Sequence, residues 1–340
     1  MTTQSQLNAI LHGAAFAPIT DRAFLRITGS DATRWLNGMV TNNIKDLAPG
    51  EGNYNFLLNA QGRIQGDCTI YREPGEGDAK FLLETGNWQL ETVHQTLDKF
   101  IIMDDVELAH GIPIDGTQPE PSPLGIAITG FEAANLLTRV IEGRPGNVYL
   151  APEPGSMTYG SLEGHKVIVL TQRHANITTF EVWCSSRGAY KELYRQLEFF
   201  NTPTLSPETL EAFRIYSGTP KYGIDIRDRD LPQETAQTHA LHFAKGCYLG
   251  QEIVERIRSR GQVHRTFTRF TLTGSLPTEL PASLEARNSE GQAKPAGEIT
   301  SATQIGDTIY ALGYARREAL DTHATLTYPG GTATPLNPKP

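Results

Sequence analysis

Along this chain, short apolar runs that alternate every second residue are separated by stretches whose apolar residues return every three or four positions. The first alternating run predicts a strand at 23–27. Ser30 or Asp31 can then cap a helix carrying Trp35, Leu36, Met39 and Val40 on one face. Segments 53–58 and 63–71 flank Asn59-Ala60-Gln61-Gly62 and predict a hairpin. A strand at 80–84 precedes a helix at 88–101, with Leu90, Val93, Leu97, Phe100 and Ile101 on one face. Pro- and Gly-rich stretches at 111–123 and 142–155 predict connections on either side of a strand at 124–128 and a helix at 131–140. Strands at 166–170 and 179–184 follow, then helices at 190–200 and after Pro207. Beyond Gly261 the pattern changes to short Thr- and aromatic-rich segments at 266–272, 297–301, 308–314 and 324–328, split by Gly and Pro. These predict a small all-β barrel. The whole reads as an α+β chain: an α/β region at 1–260, a C-terminal β-barrel at 261–330, and a loose tail at 331–340.

Composition narrows the function classes. Hydrophobic residues at 39% and charged residues at 20% describe an ordinary globular protein. A net charge of −8 argues against broad nucleic-acid binding. The charge is uneven, however. Between 245 and 269 six basic residues (Lys245, Arg256, Arg258, Arg260, Arg265 and Arg269) face only Glu252 and Glu255, a local net of +4. That stripe is either an anion-binding surface or a solvated helix face. Cys68, Cys184 and Cys247 lie far apart without a C-x-x-C pair, the usage expected of a reduced, cytoplasmic protein. No Lys or Arg precedes Arg22, so neither a signal nor a transit peptide is expected. No apolar run approaches the roughly 20 residues of a membrane span.

The densest chemistry lies at 245–252, Lys-Gly-Cys-Tyr-Leu-Gly-Gln-Glu. Apolar positions 253, 254 and 257 predict a helix just after it, which would set Cys247 at the helix mouth. There the unpaired N–H groups and the Lys245 charge would both favour the thiolate. The plain alternative is a half-buried cysteine in a Gly-rich connector. Glu181 is a carboxylate on an otherwise apolar strand, so it needs an ion-pair partner, Arg173 or Arg187, or a ligand. Asp67 reads as a turn-facing or paired carboxylate or as a ligand residue. Asp225, Asp228 and Asp230 lack the loop glycine and terminal glutamate of a calcium loop and read as surface charges and caps. His239-x-x-His242 lacks further ligands for a zinc site, and a His–Cys247 pair would suit a hydrolase.

The run 245–252 resembles the K-G-C-[FY]-x-G-Q-E signature of YgfZ-type folate-binding proteins, relatives of the glycine-cleavage T protein, an aminomethyltransferase. Arg214-Ile215 through Gly218, Pro220 and Gly223 to Asp225 resembles that superfamily's R-I-x-x-G-x-P-x-x-G-x-D block. Thr41-Asn42-Asn43, the hairpin from Leu58-Asn59 through Gly62 to Asp67, and Phe180-Glu181-Val182 are similar to further elements of it. The resemblance implies two interleaved α/β domains and a barrel around a folate-sized cleft, with tetrahydrofolate as cofactor. It implies a role in assembling or repairing iron–sulfur clusters, and so in sustaining tRNA-modifying iron–sulfur enzymes. Cys247 and Lys245 would be the catalytic residues; Glu181, Arg214, Glu91, Tyr248 and Gln251 would bind the cofactor. Glu91 occupies the position of the aminomethyltransferases' folate-activating aspartate. Aminomethyl transfer is therefore the alternative activity, and an adaptor docking RNA or an acidic protein through the stripe is a third. Clusters take four protein ligands, usually cysteines, so three scattered ones predict no resident metal and a transient, assisting role. The expected partners are folate and iron–sulfur client or assembly proteins, engaged by a monomer.

Overall fold

A computed structural model describes residues 2–112, 114, 124–141, 154–174, 176–287 and 292–336. Most of the two predicted connections, 111–123 and 142–155, thus lies outside the described residues. The elements in chain order are α1 (Thr3–His12), β1 (Ala15–Ile19), β2 (Arg22–Thr28), α2 (Ala32–Met39), β3 (Gly52–Leu58), β4 (Ile64–Arg72), β5 (Phe81–Gly86), α3 (Leu90–Asp98), β6 (Glu107–His110), β7 (Leu124–Thr129), α4 (Ala133–Val140), β8 (Met157–Leu162), β9 (His165–His174), β10 (Ile177–Cys184) and α5 (Arg187–Phe199). They continue with α6 (Pro207–Ser217), α7 (Gln251–Arg260), β11 (Arg265–Gly274), β12 (Ala282–Arg287), β13 (Ala293–Ile305), β14 (Thr308–Arg316), α8 (Arg317–Asp321), β15 (Leu326–Tyr328) and β16 (Gly331–Leu336). The protein is α+β with a closed C-terminal barrel.

The chain divides into two compact units. The first comprises Met1–Leu58, Gln65–Ser206 and His239–Leu249. It holds two five-stranded sheets, ordered β1-β7-β10-β9-β8 and β3-β4-β5-β2-β6, whose strands interleave in sequence. Two-residue alternation sorts each strand's side chains to opposite faces. On β10, Phe180, Val182 and Cys184 pack with Leu137, Leu193 and Leu197 of α4 and α5. On β2, β4 and β5, Leu25, Ile70 and Leu83 pack with Leu36 of α2 and with Val93 and Leu97 of α3. The opposite faces meet each other: Phe24, Tyr71, Leu82, Ile168, Leu170 and Trp183 form a third core between the sheets. Phe24 and Trp183 pack edge to face there, with centroids 4.7 Å apart. Helix α5 starts earlier than its apolar spacing predicts, because the Ser186 hydroxyl accepts the Ala189 N–H at 3.1 Å.

The second unit comprises Asn59–Ile64, Pro207–Thr238 and Gly250–Pro340. Its barrel runs β11-β14-β13-β12-β15-β16 and returns to β11. The stretch from 331, expected as a loose tail, holds β16, which pairs with β11 from Gly274↔Gly331 to Arg269↔Leu336 and closes the barrel. The unit also recruits residues ahead of the expected boundary at 261. The hairpin turn is tied in by Ile64 N–H, which donates to Asp230 O at 3.2 Å. Gly62 sits at φ +69°, and a Cβ there would meet Ile253 Cβ at 2.8 Å, so this corner of the turn requires glycine. Asp225 and Asp230, expected as surface charges, are fully buried. Arg265 reaches Asp230 at 2.6 Å and Glu234 at 3.2 Å. Together with the Arg269 guanidinium, bound to Tyr216 O at 2.5 Å, this commits two arginines of the predicted anionic-partner stripe to internal contacts.

Candidate functional site

Two sequence motifs about two hundred residues apart hold each other in the first unit. Thr41 Oγ1 donates to Ala240 O at 2.6 Å and accepts the Phe56 N–H at 2.9 Å. Asn42 Nδ2 donates to His239 O at 2.8 Å, and the Leu249 N–H donates to Gly38 O at 3.0 Å. From within the clamped segment, Lys245 Nζ donates to Val40 O at 2.7 Å and Asn42 O at 2.5 Å, with the Tyr248 ring 5.1 Å below it. Lys245 and Tyr248 are buried, whereas Cys247 between them is exposed. The segment is therefore a loop pinned by its lysine that presents its thiol to solvent. The other two thiols are buried, and burial pushes that of Cys184 up to about 12 and that of Cys68 well above the usual value.

Two expectations about Cys247 are corrected here. Helix α7 begins at Gln251, after Gly250 in a left-handed conformation, so Cys247 lies outside the first turn, where a helix terminus acts. Lys245 does not stand as a full charge beside the sulfur. Its ammonium is spent on backbone carbonyls, and burial lowers its pKa to about 7. Among the described residues no hydrogen bond joins Cys247 to His239 or His242. The His239 ring instead lies 5.5 Å from that of Tyr54, whose hydroxyl donates to Asp67 Oδ2 at 2.6 Å. Gln89 Nε2 donates to the other Asp67 oxygen at 2.6 Å, so Asp67 is a paired carboxylate.

The second feature of this unit is a pair of buried carboxyls in the layer between the sheets. Alternation along β10 and β5 turns Glu181 and Glu84 to the face that carries Trp183 and Leu82. Arg22 Nε lies 3.1 Å from Glu84 Oε1 and 4.0 Å from Glu181 Oε1, so Glu84 takes the ion pair. Tyr71 Oη and Gln172 Nε2 donate to Glu84 Oε2 at 3.1 and 3.0 Å, and Trp183 Nε1 donates to Glu181 Oε2 at 3.3 Å. Burial first, and then the neighbouring Glu84 charge, hold Glu181 well above the carboxylate range. Two buried carboxylates beside one arginine would leave a surplus charge costing several kcal/mol. The pair therefore keeps one proton, on Glu181. Burial and Arg22 push His174 down to about 4, so its imidazole is neutral at pH 7. Glu84 Oε1 is buried and, despite the nearby arginine, has no aligned hydrogen-bond donor.

The predicted site residues thus separate into groups. Glu181 lies beside Glu84 and Arg22, and among the described residues no ion pair joins it to Arg187; the expected alternative, Arg173, has its side chain outside the described residues. Arg214 is corrected outright. In the second unit its Nε and Nη2 grip Glu211 at 2.9 and 2.7 Å, Nη2 also donates to Ser301 Oγ at 2.9 Å, and Nη1 donates to Thr219 O at 2.7 Å and Asp225 Oδ2 at 2.6 Å. A guanidinium has five N–H donors, and all five are used, leaving none for a folate tail or for Glu181. Gln251 opens α7 in that same unit. Glu91 is exposed on α3 and accepts Gln95 Nε2 at 2.6 Å. Sequence reasoning missed Glu84, Arg22, Tyr71 and Gln172. Glu84 carried the same signal as Glu181, a carboxylate ending the apolar run Phe81-Leu82-Leu83; the others are polar residues with no local mark.

From residue 2 to 245 the chain matches the family described as GCVT N-terminal domain. It is similar to the mitochondrial iron–sulfur cluster assembly factor IBA57 homolog of Neurospora crassa, 26% identical over 298 residues that cover 84% of this chain and 60% of the relative. It is similar to the tRNA-modifying protein YgfZ of Yersinia enterocolitica, 26% identical over 76% of this chain and 70% of that one. The chain thus spans about three-fifths of the fungal relative's length. The crystal structure of glycine cleavage system aminomethyltransferase T from Bartonella henselae superposes with a TM-score of 0.80 at 17% identity, covering 99% of this chain and 88% of that one, which establishes the shared fold. A GCVT match over most of the chain, with relatives of the YgfZ and IBA57 kinds, makes this protein a YgfZ-type member of the GCVT family.

Proposed function

We propose that this protein binds tetrahydrofolate in its first unit and assists iron–sulfur cluster assembly or repair, thereby sustaining tRNA-modifying iron–sulfur enzymes. The names of its relatives support this reading. The observation that carries it is the exposure of Cys247 on a loop pinned by Lys245, while both other thiols are buried. A chain offering one accessible thiol can supply a single thiolate ligand to iron, and the remaining thiolates must come from a partner. It therefore acts as a helper at another protein's cluster. The carboxyl pair suits a pterin, whose adjacent N–H donors match the one negative charge that the pair retains beside Arg22. Bound tetrahydrofolate would supply one-carbon chemistry; the chain's residues orient its ring and hold the proton on Glu181.

Introducing Cys247→Ser into a strain lacking the native gene should leave iron–sulfur enzyme activities at the deletion level, and full restoration would refute the role of the thiol. Calorimetry with reduced folates should show binding that Glu181→Gln weakens by at least about 10-fold, an interaction of about 1.4 kcal/mol. Aminomethyl transfer to tetrahydrofolate from an aminomethylated carrier protein should be undetectable, because Glu91 lies exposed on α3.

A further inference from the structure

Glu91, His94 and His110 converge on the surface of the first unit. Glu91 and His94 are three residues apart on α3 and so share a helix face. His110 ends β6, the edge strand paired with β2, where it stands opposite Leu25. His94 Nδ1 and His110 Nε2 lie 2.7 Å apart with their rings edge to face, and one ligand atom from each of the three residues falls within 4.8 Å of the others. Gln95 Nε2 donates to Glu91 Oε1 at 2.6 Å, the kind of outer contact that orients a ligating carboxylate.

Two ring nitrogens this close must share a proton, one donating and one accepting. A metal ion can take that proton's place. Two bonds of about 2.0–2.1 Å at a tetrahedral angle set the nitrogens about 3.3 Å apart, an opening that rotation of the exposed His110 side chain can provide. We propose that Glu91, His94 and His110 bind one divalent first-row transition cation with a preference for imidazole, such as zinc, with water completing its coordination. Binding moves the proton between the imidazoles to the far ring nitrogen of the histidine that donated it, leaving both rings neutral, and forms two metal–nitrogen bonds and one metal–oxygen bond. This site is independent of the folate and thiol reading, because none of its donors belongs to the Cys247 loop or the carboxyl pair.

The test is calorimetric titration of zinc into the chelator-stripped full chain, alongside His110→Gln, His94→Gln, Glu91→Gln and Cys247→Ser. The wild type and Cys247→Ser should bind one zinc ion alike, and each histidine variant should bind at least about 10-fold more weakly. Cobalt should give visible bands without the near-ultraviolet absorption of a thiolate ligand. Thermal melts in chelator should match among the four variants, showing that the changes act on the site and not on folding. No zinc binding, wild-type titration by His110→Gln and His94→Gln, or binding abolished by Cys247→Ser would each overturn the assignment.

Discussion

Glu181 and Lys245 are ionisable groups carried out of water, and burial shifts them in opposite directions. The folded pKa of Glu181 is raised above its ordinary 4.5, so the stability it contributes is complete below that pH and is lost as pH rises through the folded value. Glu181→Gln should remove that loss, which denaturant titrations between pH 4 and 8 would show as a flatter profile. An unchanged slope would mean that the proton sits elsewhere. Lys245 falls from 10.5 to about 7, so between those values the unfolded chain holds more protons and stability rises with pH. Lys245→Met should abolish that rise. Cys247→Ser, at an exposed position, should alter stability by no more than about 0.5 kcal/mol, so that any loss of activity reports chemistry and not unfolding.

Among the elements, the loop at 239–249 depends on the turn at 41–43 more than on anything in its own sequence. Thr41→Val removes both the donor to Ala240 O and the acceptor for the Phe56 N–H, a loss of about 1–3 kcal/mol. Amide exchange should accelerate within 239–249 and stay unchanged in the barrel strands; uniform acceleration would show that the clamp is not local. Both motifs were legible in the sequence, but their pairing was not, because local periodicity carries no information about which distant turn a loop will meet. The same holds for α6, where Arg214 reads equally well as a ligand clamp or a structural fork. Arg214→Met strands the fully buried Asp225 without its partner and should cost about 3–5 kcal/mol. Arg214→Lys should rescue little of this, since an ammonium cannot replace the five-donor fork.

Across the molecule, two-residue alternation distributes chemistry as well as hydrophobicity. In the first unit it sends Phe180 and Val182 to the helices, and Glu181 and Trp183 to the layer between the sheets. The same rule puts Glu84 opposite them from β5. Trp183→Ala would empty the centre of that layer and remove a donor from Glu181. A loss of about 3–5 kcal/mol in urea denaturation is expected, with weaker folate binding in calorimetry as its functional counterpart.

Most helices and strands between β2 and β15, the hairpin at Gly62, the short strands after residue 261 and the motif around Cys247 follow from the sequence, because each depends on neighbours a few residues apart. By contrast, α1, β1, β6, β8, β12 and α8 carried no prediction, and β16 was expected as a loose tail. The partners of buried charge were settled only by the tertiary structure. Arg22 reaches Glu84, Asp225 absorbs Arg214, and Lys245 is spent on the carbonyls of residues 40 and 42. Desolvation makes such pairings compulsory wherever a charge is buried, but which groups meet depends on how strands distant in sequence are laid side by side.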